Sequence, residues 1–230
     1  MKQNVYLLSG LLCDATVWVP LIPGLEKVAK VCPVDFRGFD DIGAMAEHVL
    51  ENASNHFALV GHSMGARVAL EVCRRAPERV ERLALLSTGI HPAQPGEQEA
   101  RQRLVDLAHS EGMEALADHW LPPMMLEASR ENPALMQPLL DMVHRMTPTI
   151  YEQQVNALLN RPDAGRQLEN IRCPVLVGVG RQDQWSPLSQ HELIASRITN
   201  SRLVVFDKSG HMAPFEAAEQ VLKELINWLK

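Results

Sequence analysis

Three residue types that together can carry acyl chemistry occur in this 230-residue chain in the order Ser63, Asp183, His211. Ser63 lies within Gly61-His62-Ser63-Met64-Gly65, after the apolar run Phe57–Val60 and before the helix-like segment MGARVALEVCRR. A serine on so sharp a strand-to-helix turn presents its hydroxyl above a sheet, and only small residues fit the flanks of the bend. Gly61 and Gly65 meet that demand, and Ala66 extends it where helix and strand approach. The first backbone N–H groups of the following helix lack intrahelical partners and carry the positive end of its dipole. The Met64 N–H is therefore expected to donate to an oxyanion if Ser63 attacks a carbonyl. The competing reading is an ordinary strand-to-helix turn that happens to contain serine.

A hydroxyl nucleophile needs a base, and the base needs an acid to orient it. In a parallel sheet both belong on loops after the carboxyl ends of later strands. CPVLVGVGRQDQWSP supplies an apolar strand and then Asp183, four residues past Val179. SRLVVFDKSGHMAPFE supplies another and then His211, five residues past Phe206. Asp207, close to His211, reads as a decoy. His62 adjoins Ser63, and its side chain is expected to point elsewhere. His48 and His56 fall on or beside an early helix, whereas His91, His109, His119 and His144 fall in the middle of the chain, where nothing selects one for substrate.

The elements that must position these residues are legible as periodicity. Val5–Ser9, Val28–Val34, Phe57–Val60, Leu83–Leu86, Val175–Val179 and Leu203–Phe206 are nearly continuous apolar runs of strand length, suited to a sheet covered on both faces. Between them, Ile42, Ala46, Val49, Leu50 and Ala53 form one helical stripe. After Ser63, Val68, Ala69 and Val72 share a face, Arg67, Arg74 and Arg75 can reach solvent, and Pro77 ends the helix. Val221, Leu222, Leu225, Ile226 and Leu229 mark a last amphipathic helix. Strand–helix alternation predicts βαβ units and a doubly wound α/β sheet.

The segment from His91 to Gly165 has no strand pattern and reads as several short helices inserted between the fifth and sixth core units. The expected organisation is a core of residues 1–90 and 166–230 with a helical cap over 91–165. Six methionines lie in the insertion: Met113, Met124, Met125, Met136, Met142 and Met146. Methionine adapts to irregular apolar surfaces. Met124, Met125 and Met142 are accordingly placed in the substrate pocket, with simple packing onto the core as the alternative. Trp185, beside Asp183, is expected to help close the pocket. Trp18 is placed at its margin, with core packing as the competing reading.

Composition bounds the function. A hydrophobic fraction of 46% and a charged fraction of 22% are those of a globular domain. A net charge of −6 argues against non-specific nucleic-acid binding. The apolar run in MKQNVYLLSGLLCDA is short and broken by glycine, so it reads as a buried strand rather than a signal peptide, and the expected location is the cytoplasm. No stretch approaches the ~18–20 apolar residues that a membrane span needs. Cys13, Cys32, Cys73 and Cys173 show neither metal spacing nor a C-x-x-C pair and read as small buried hydrophobes.

Taken together, GHSMG, GRQDQWSP and SGHMAPFE resemble the α/β-hydrolase superfamily, in its small esterase, lactonase and carbon–carbon hydrolase branch, over nearly the whole chain. CPVDFRGFD is similar to that family's D-x-R-G segment near the active-site mouth, a structural motif in which Arg37 has no catalytic part. The resemblance implies an α/β-hydrolase fold of about six mainly parallel strands flanked by helices, with a helical lid. It implies Ser63 as nucleophile, His211 as base and Asp183 as the group that orients it, with no metal and no organic cofactor. The family's early His-Gly pair is replaced here by Ser9-Gly10, and carrying the position over makes the Leu11 N–H the second oxyanion donor beside Met64. Many members begin with an antiparallel strand pair, for which little room is expected before Val5. An exposed edge strand leaves monomer and homodimer both open.

The leading expectation is a serine hydrolase acting on a carboxylic ester or related acyl compound, a small and partly hydrophobic molecule, through an acyl-enzyme. Two other classes stay open. The same residues support a lyase resembling the elimination step of menaquinone biosynthesis, in which Ser63 is never acylated. They also suit a receptor-like hydrolase whose slow turnover is secondary to ligand binding.

Overall fold

The computed structural model describes residues 2–230. Six strands, β1 (Gln3–Leu8), β2 (Ala29–Val34), β3 (Phe57–His62), β4 (Val80–Leu86), β5 (Val175–Gly180) and β6 (Ser201–Phe206), form one sheet in the order β2-β1-β3-β4-β5-β6. Every adjacent pair is parallel. β3 and β5 are buried at every position, which is why their sequences read as unbroken apolar and glycine runs rather than alternating ones. The edge strands β2 and β6 are only partly buried, and Pro33 sits in β2, where a missing donor is tolerated.

The helices are α1 (Ile22–Leu25), α2 (Ile42–Asn52), α3 (Met64–Arg75), α4 (Glu97–Trp120), α5 (Glu127–Arg130), α6 (Pro133–His144), α7 (Pro148–Leu159), α8 (Leu188–Arg197), α9 (Ala213–Glu216) and α10 (Ala218–Leu229). Their starts carry local instructions. Asp41, Asn132 and Thr147 each accept a backbone N–H of the first turn at the heads of α2, α6 and α7, and the last two precede a proline. α4 is two helices joined at Gly112, whose φ of 88° is left-handed and favours glycine.

The chain leaves β1 toward β2 on one side and returns to β3 on the other, so the connections diverge between β1 and β3. In open parallel sheets a crevice forms at the carboxyl ends of such strands, and here those ends lead into Gly10-Leu11 and Ser63. The helices α4 to α7 lie between β4 and β5, one unit earlier than the periodicity suggested, because Val80–Leu86 is the fourth strand and Val175–Gly180 the fifth. α4 packs against α6 and α7 within this insertion. No helix among the described residues is long and apolar enough to cross a membrane.

Of the three arginines assigned to the solvent side of α3, Arg74 and Arg75 are exposed and both pair with the buried Glu71 carboxylate. Arg67 is different. Its Nη1 donates to the His91 carbonyl at 3.0 Å, and the insertion closes over it. All four cysteines are free thiols.

Candidate active site

Ser63 sits between β3 and α3 with φ 54° and ψ −115°, a backbone conformation that a non-glycine residue adopts only when its surroundings hold it there. The restraints are explicit. The Ser63 N–H donates to the Leu86 carbonyl at 2.9 Å, and the Ser63 carbonyl accepts from the Ala66 N–H and from the Thr88 hydroxyl at 3.0 Å. Thr88 is itself pinned, its N–H donating to Nε2 of the fully buried His191 at 2.9 Å. A Cβ on Gly65 would collide with the Leu8 and Ser9 carbonyls, and one on Gly61 with the Ala66 backbone. The two glycines are thus required by the close passage of α3 over β1 and β3.

His211 and Asp183 meet Ser63 across the ends of β5 and β6. The Ser63 Oγ is 2.9 Å from His211 Nε2, and His211 Nδ1 is 2.9 Å from Asp183 Oδ2 and 3.1 Å from Oδ1. Asp183 Oδ1 also accepts the Trp185 and Ser186 N–H groups at 3.0 and 2.8 Å. Burial opposes ionisation of the Asp183 carboxyl, but the His211 charge and hydrogen bond and the Ser186 N–H outweigh it and hold it below the usual aspartate range.

The histidine is gripped by its backbone as well. The His211 N–H donates to the Met124 carbonyl at 2.7 Å, and its carbonyl lies 2.9 Å from His62 Nε2. His62 therefore does not point away: it packs beside the His211 ring and lines the same cavity. Glu216 ties the loop to the insertion, its two carboxyl oxygens accepting the Gly210 and Leu126 N–H groups at 3.0 and 2.8 Å. Asp207 turns outward to pair with Arg181.

Leu11 and Met64 both line the cavity at Ser63. Neither backbone N–H donates to another group among the described residues. The Leu11 loop is braced from the insertion: the neighbouring Leu12, at φ 56°, donates its N–H to Gln154 Oε1 at 2.8 Å, and Gln154 Nε2 donates to the Phe36 carbonyl at 3.1 Å. Gln154 is fully buried on α7 and carries no motif that would reveal this brace from sequence.

The cavity is about 330 Å³, within the range of small-molecule sites. Met124 and Trp185 line it, and the Trp185 ring lies 6.1 Å from that of His211. Trp18, Met125 and Met142 do not line it. Trp18 is fully buried behind the site, its indole N–H donating to Ser9 Oγ at 3.1 Å. Met142 is fully buried on α6, and Met125 is buried, its N–H donating to the Pro122 carbonyl and its carbonyl accepting from Arg130. The insertion instead contributes Leu104, Trp120, Tyr151 and Leu158, with His91 as its histidine. Polar lining residues that the motifs did not single out include Arg67, Glu97, Arg101 and Arg161.

Residues 5–224 match the model of the alpha/beta hydrolase family. The chain belongs to that family. It is 28% identical over 228 residues to a pimeloyl-(acyl-carrier protein) methyl ester esterase of Neisseria meningitidis serogroup A, covering 93% of this chain and 72% of that protein. A thermophilic esterase from Thermogutta terrifontis superimposes with a TM-score of 0.89 at 27% identity, over 100% of this chain and 90% of that one. The enol-lactonase from Burkholderia xenovorans LB400 has the same fold, with a TM-score of 0.90 at 24% identity over 100% and 92% of the two chains.

This alpha/beta hydrolase carries two buried neutral histidines, His62 in the cavity wall and His191 behind it. Burial, opposed only in part by nearby acceptors, brings His62 down to about 3 and His191 down to about 4. In the unfolded chain both return to the ordinary histidine value near ~6.5, so unfolding takes up protons below it. Stability is therefore full above about 6.5 and declines as pH falls toward about 4 and about 3. At pH ~5 each histidine is expected to cost about 2 kcal/mol. Urea unfolding of the wild type and His191→Gln at pH ~7.5 and ~5 checks this: the variant should lose about 2 kcal/mol less on acidification, and equal losses would refute it.

Proposed function

We propose that this protein is a serine hydrolase that cleaves a carboxylic ester or a closely related acyl compound through an acyl-enzyme. The observation that carries the reading is the unbroken hydrogen-bonded relay from Ser63 Oγ to His211 Nε2 and from His211 Nδ1 to Asp183, opening on the cavity. His211 takes the Ser63 proton as Oγ attacks the substrate carbonyl. Asp183 keeps the Nδ1–H tautomer and offsets the positive charge that develops on the imidazole. The Leu11 and Met64 N–H groups donate to the tetrahedral oxyanion, a contribution on the order of 3 kcal/mol per donor. His211 then gives its proton to the leaving alcohol, and the resulting acyl-Ser63 is hydrolysed by a water that His211 deprotonates.

Several features support this reading beyond the relay. Ser63 is held in a conformation that lifts its hydroxyl toward His211, and the two unpartnered N–H groups border the same space. Relatives include esterases, and ester chemistry needs nothing the site lacks.

The test is covalent. A fluorophosphonate should label Ser63 stoichiometrically, as read by intact mass and by peptide mapping, and Ser63→Ala should remain unlabelled. Failure of the wild type to label would refute the reading. A substrate panel spanning ester, thioester and lactone bonds then resolves the bond cleaved, and turnover of an eliminable substrate without any acyl-enzyme would point to the lyase class instead.

A further inference from the structure

The cavity wall formed by the start of α3, the start of α4 and the turn after α7 carries more positive charge than ester hydrolysis uses. Arg67, Arg101 and Arg161 line it, with Glu97 as the one carboxylate among the lining residues. The four side chains are contiguous. Arg161 grips both Glu97 oxygens at 2.7 Å, and Arg101 Nε adds a bond to Oε1 at 2.9 Å. Arg67 and Arg161 share the His91 carbonyl, at 3.0 and 3.1 Å. Three guanidinium groups against one carboxylate leave a net charge of +2 on this wall.

The surplus falls mainly on Arg67. Glu97 is already satisfied: burial opposes its ionisation, yet the Arg161 and Arg101 bonds and the Gln94 N–H hold it at about 2. Arg67 has no carboxylate partner, and its one side-chain hydrogen bond among the described residues goes to the His91 carbonyl. Burial first, and then the Arg161 charge, bring its guanidinium down to about 9, which leaves it charged at neutral pH. A half-buried guanidinium without a carboxylate partner is unfavourable unless something completes it. Its Nη2 lies beside Gly89, and both residues line the cavity.

We propose that this wall is a carboxylate subsite, and that the preferred ester or lactone carries a free carboxylate remote from the scissile bond, with Arg67 as its principal partner. The proposal rests on the hydrolase reading for the scissile bond but not for the anion site. A guanidinium presents a planar fork that matches a carboxylate, and Arg161 already makes such a pair with Glu97 in the same wall. Leu104, Trp120, Met124 and Leu158 line the cavity too and suit a short aliphatic linker.

The experiment compares monomethyl esters of straight-chain diacids, succinate through adipate, with the corresponding dimethyl esters and with length-matched methyl alkanoates. At least one monomethyl ester should show kcat/KM about ten-fold or more above its neutral partners, as a charge-assisted pair implies. Arg67→Met should lower that value by on the order of 10–100-fold and bring the acid-to-neutral ratio toward one, with Arg67→Lys in between. Arg101→Met should move the same ratio in the same direction by less, and decides the matter if Arg67→Met does not fold. Calorimetric titration of the best monomethyl ester into Ser63→Ala, with and without Arg67→Met, reads the subsite without turnover. Neutral esters equal to or better than acidic ones across the panel would overturn the proposal, as would equal losses for both in Arg67→Met. If Ser63 fails to label and no ester is turned over, the hydrolase reading falls, while binding to Ser63→Ala still decides the anion site.

Discussion

Ser63→Ala is expected to lower kcat for a chromogenic ester by on the order of 10⁵–10⁶-fold while leaving the protein folded. The change removes one oxygen and keeps the Cβ, so packing around the turn is retained. It also leaves intact the bonds that hold the strained backbone, from the Ser63 N–H to Leu86 and from Thr88 and Ala66 to the Ser63 carbonyl, since none uses the hydroxyl. What disappears is the atom 2.9 Å from His211 Nε2. The Leu11 and Met64 N–H groups and the cavity that remain cannot make a covalent bond, so only a small residual rate is expected. A thermal midpoint within a few degrees of wild type, together with the kinetic loss, assigns the effect to chemistry. A kcat within ten-fold of wild type would overturn Ser63 as the nucleophile.

Asp183→Asn is expected to cost about 10⁴-fold in kcat, by a different route. Oδ1 of Asp183 accepts two loop N–H groups, from Trp185 and Ser186, while Oδ2 faces His211 Nδ1 at 2.9 Å. An asparagine keeps its oxygen on those two donors and turns its amide NH2 toward Nδ1. That arrangement favours the imidazole tautomer with hydrogen on Nε2, which cannot accept the Ser63 proton. Fluorophosphonate labelling of Ser63 should slow in parallel with kcat, because both need the base. Labelling at the wild-type rate would show that Asp183 does not set the state of His211.

Much of this arrangement could be read along the chain. The six strands fall close to where apolar runs predicted them, most plainly β3 and β5, because strands covered on both faces have no polar side to mark. Gly61 and Gly65 declared the tight turn because any Cβ there meets backbone. Asp183 and His211 were recognisable by their place after β5 and β6, and the structure brings both to Ser63. The methionine-rich insertion was legible as helical but not in its detail. Composition cannot say which face of each helix meets the core, so Met125 and Met142, taken for pocket residues, do not line the cavity.

The sequence by itself therefore determined the strand and helix alternation, the sharp turn at Ser63 and the chain order of Ser63, Asp183 and His211. These depend on local periodicity and on steric limits that act within a few residues. Only the tertiary structure decided what surrounds them. Arg67 lies on the polar side of α3 by periodicity, yet the insertion covers it and turns it into the cavity beside Arg161. Trp18 follows the Leu11 loop in sequence, yet Ser9 draws its indole into the core. Gln154 braces the Leu11 loop from a helix more than a hundred residues away. Such contacts arise between segments distant in the chain, and their geometry exists only once the sheet and the insertion have packed together.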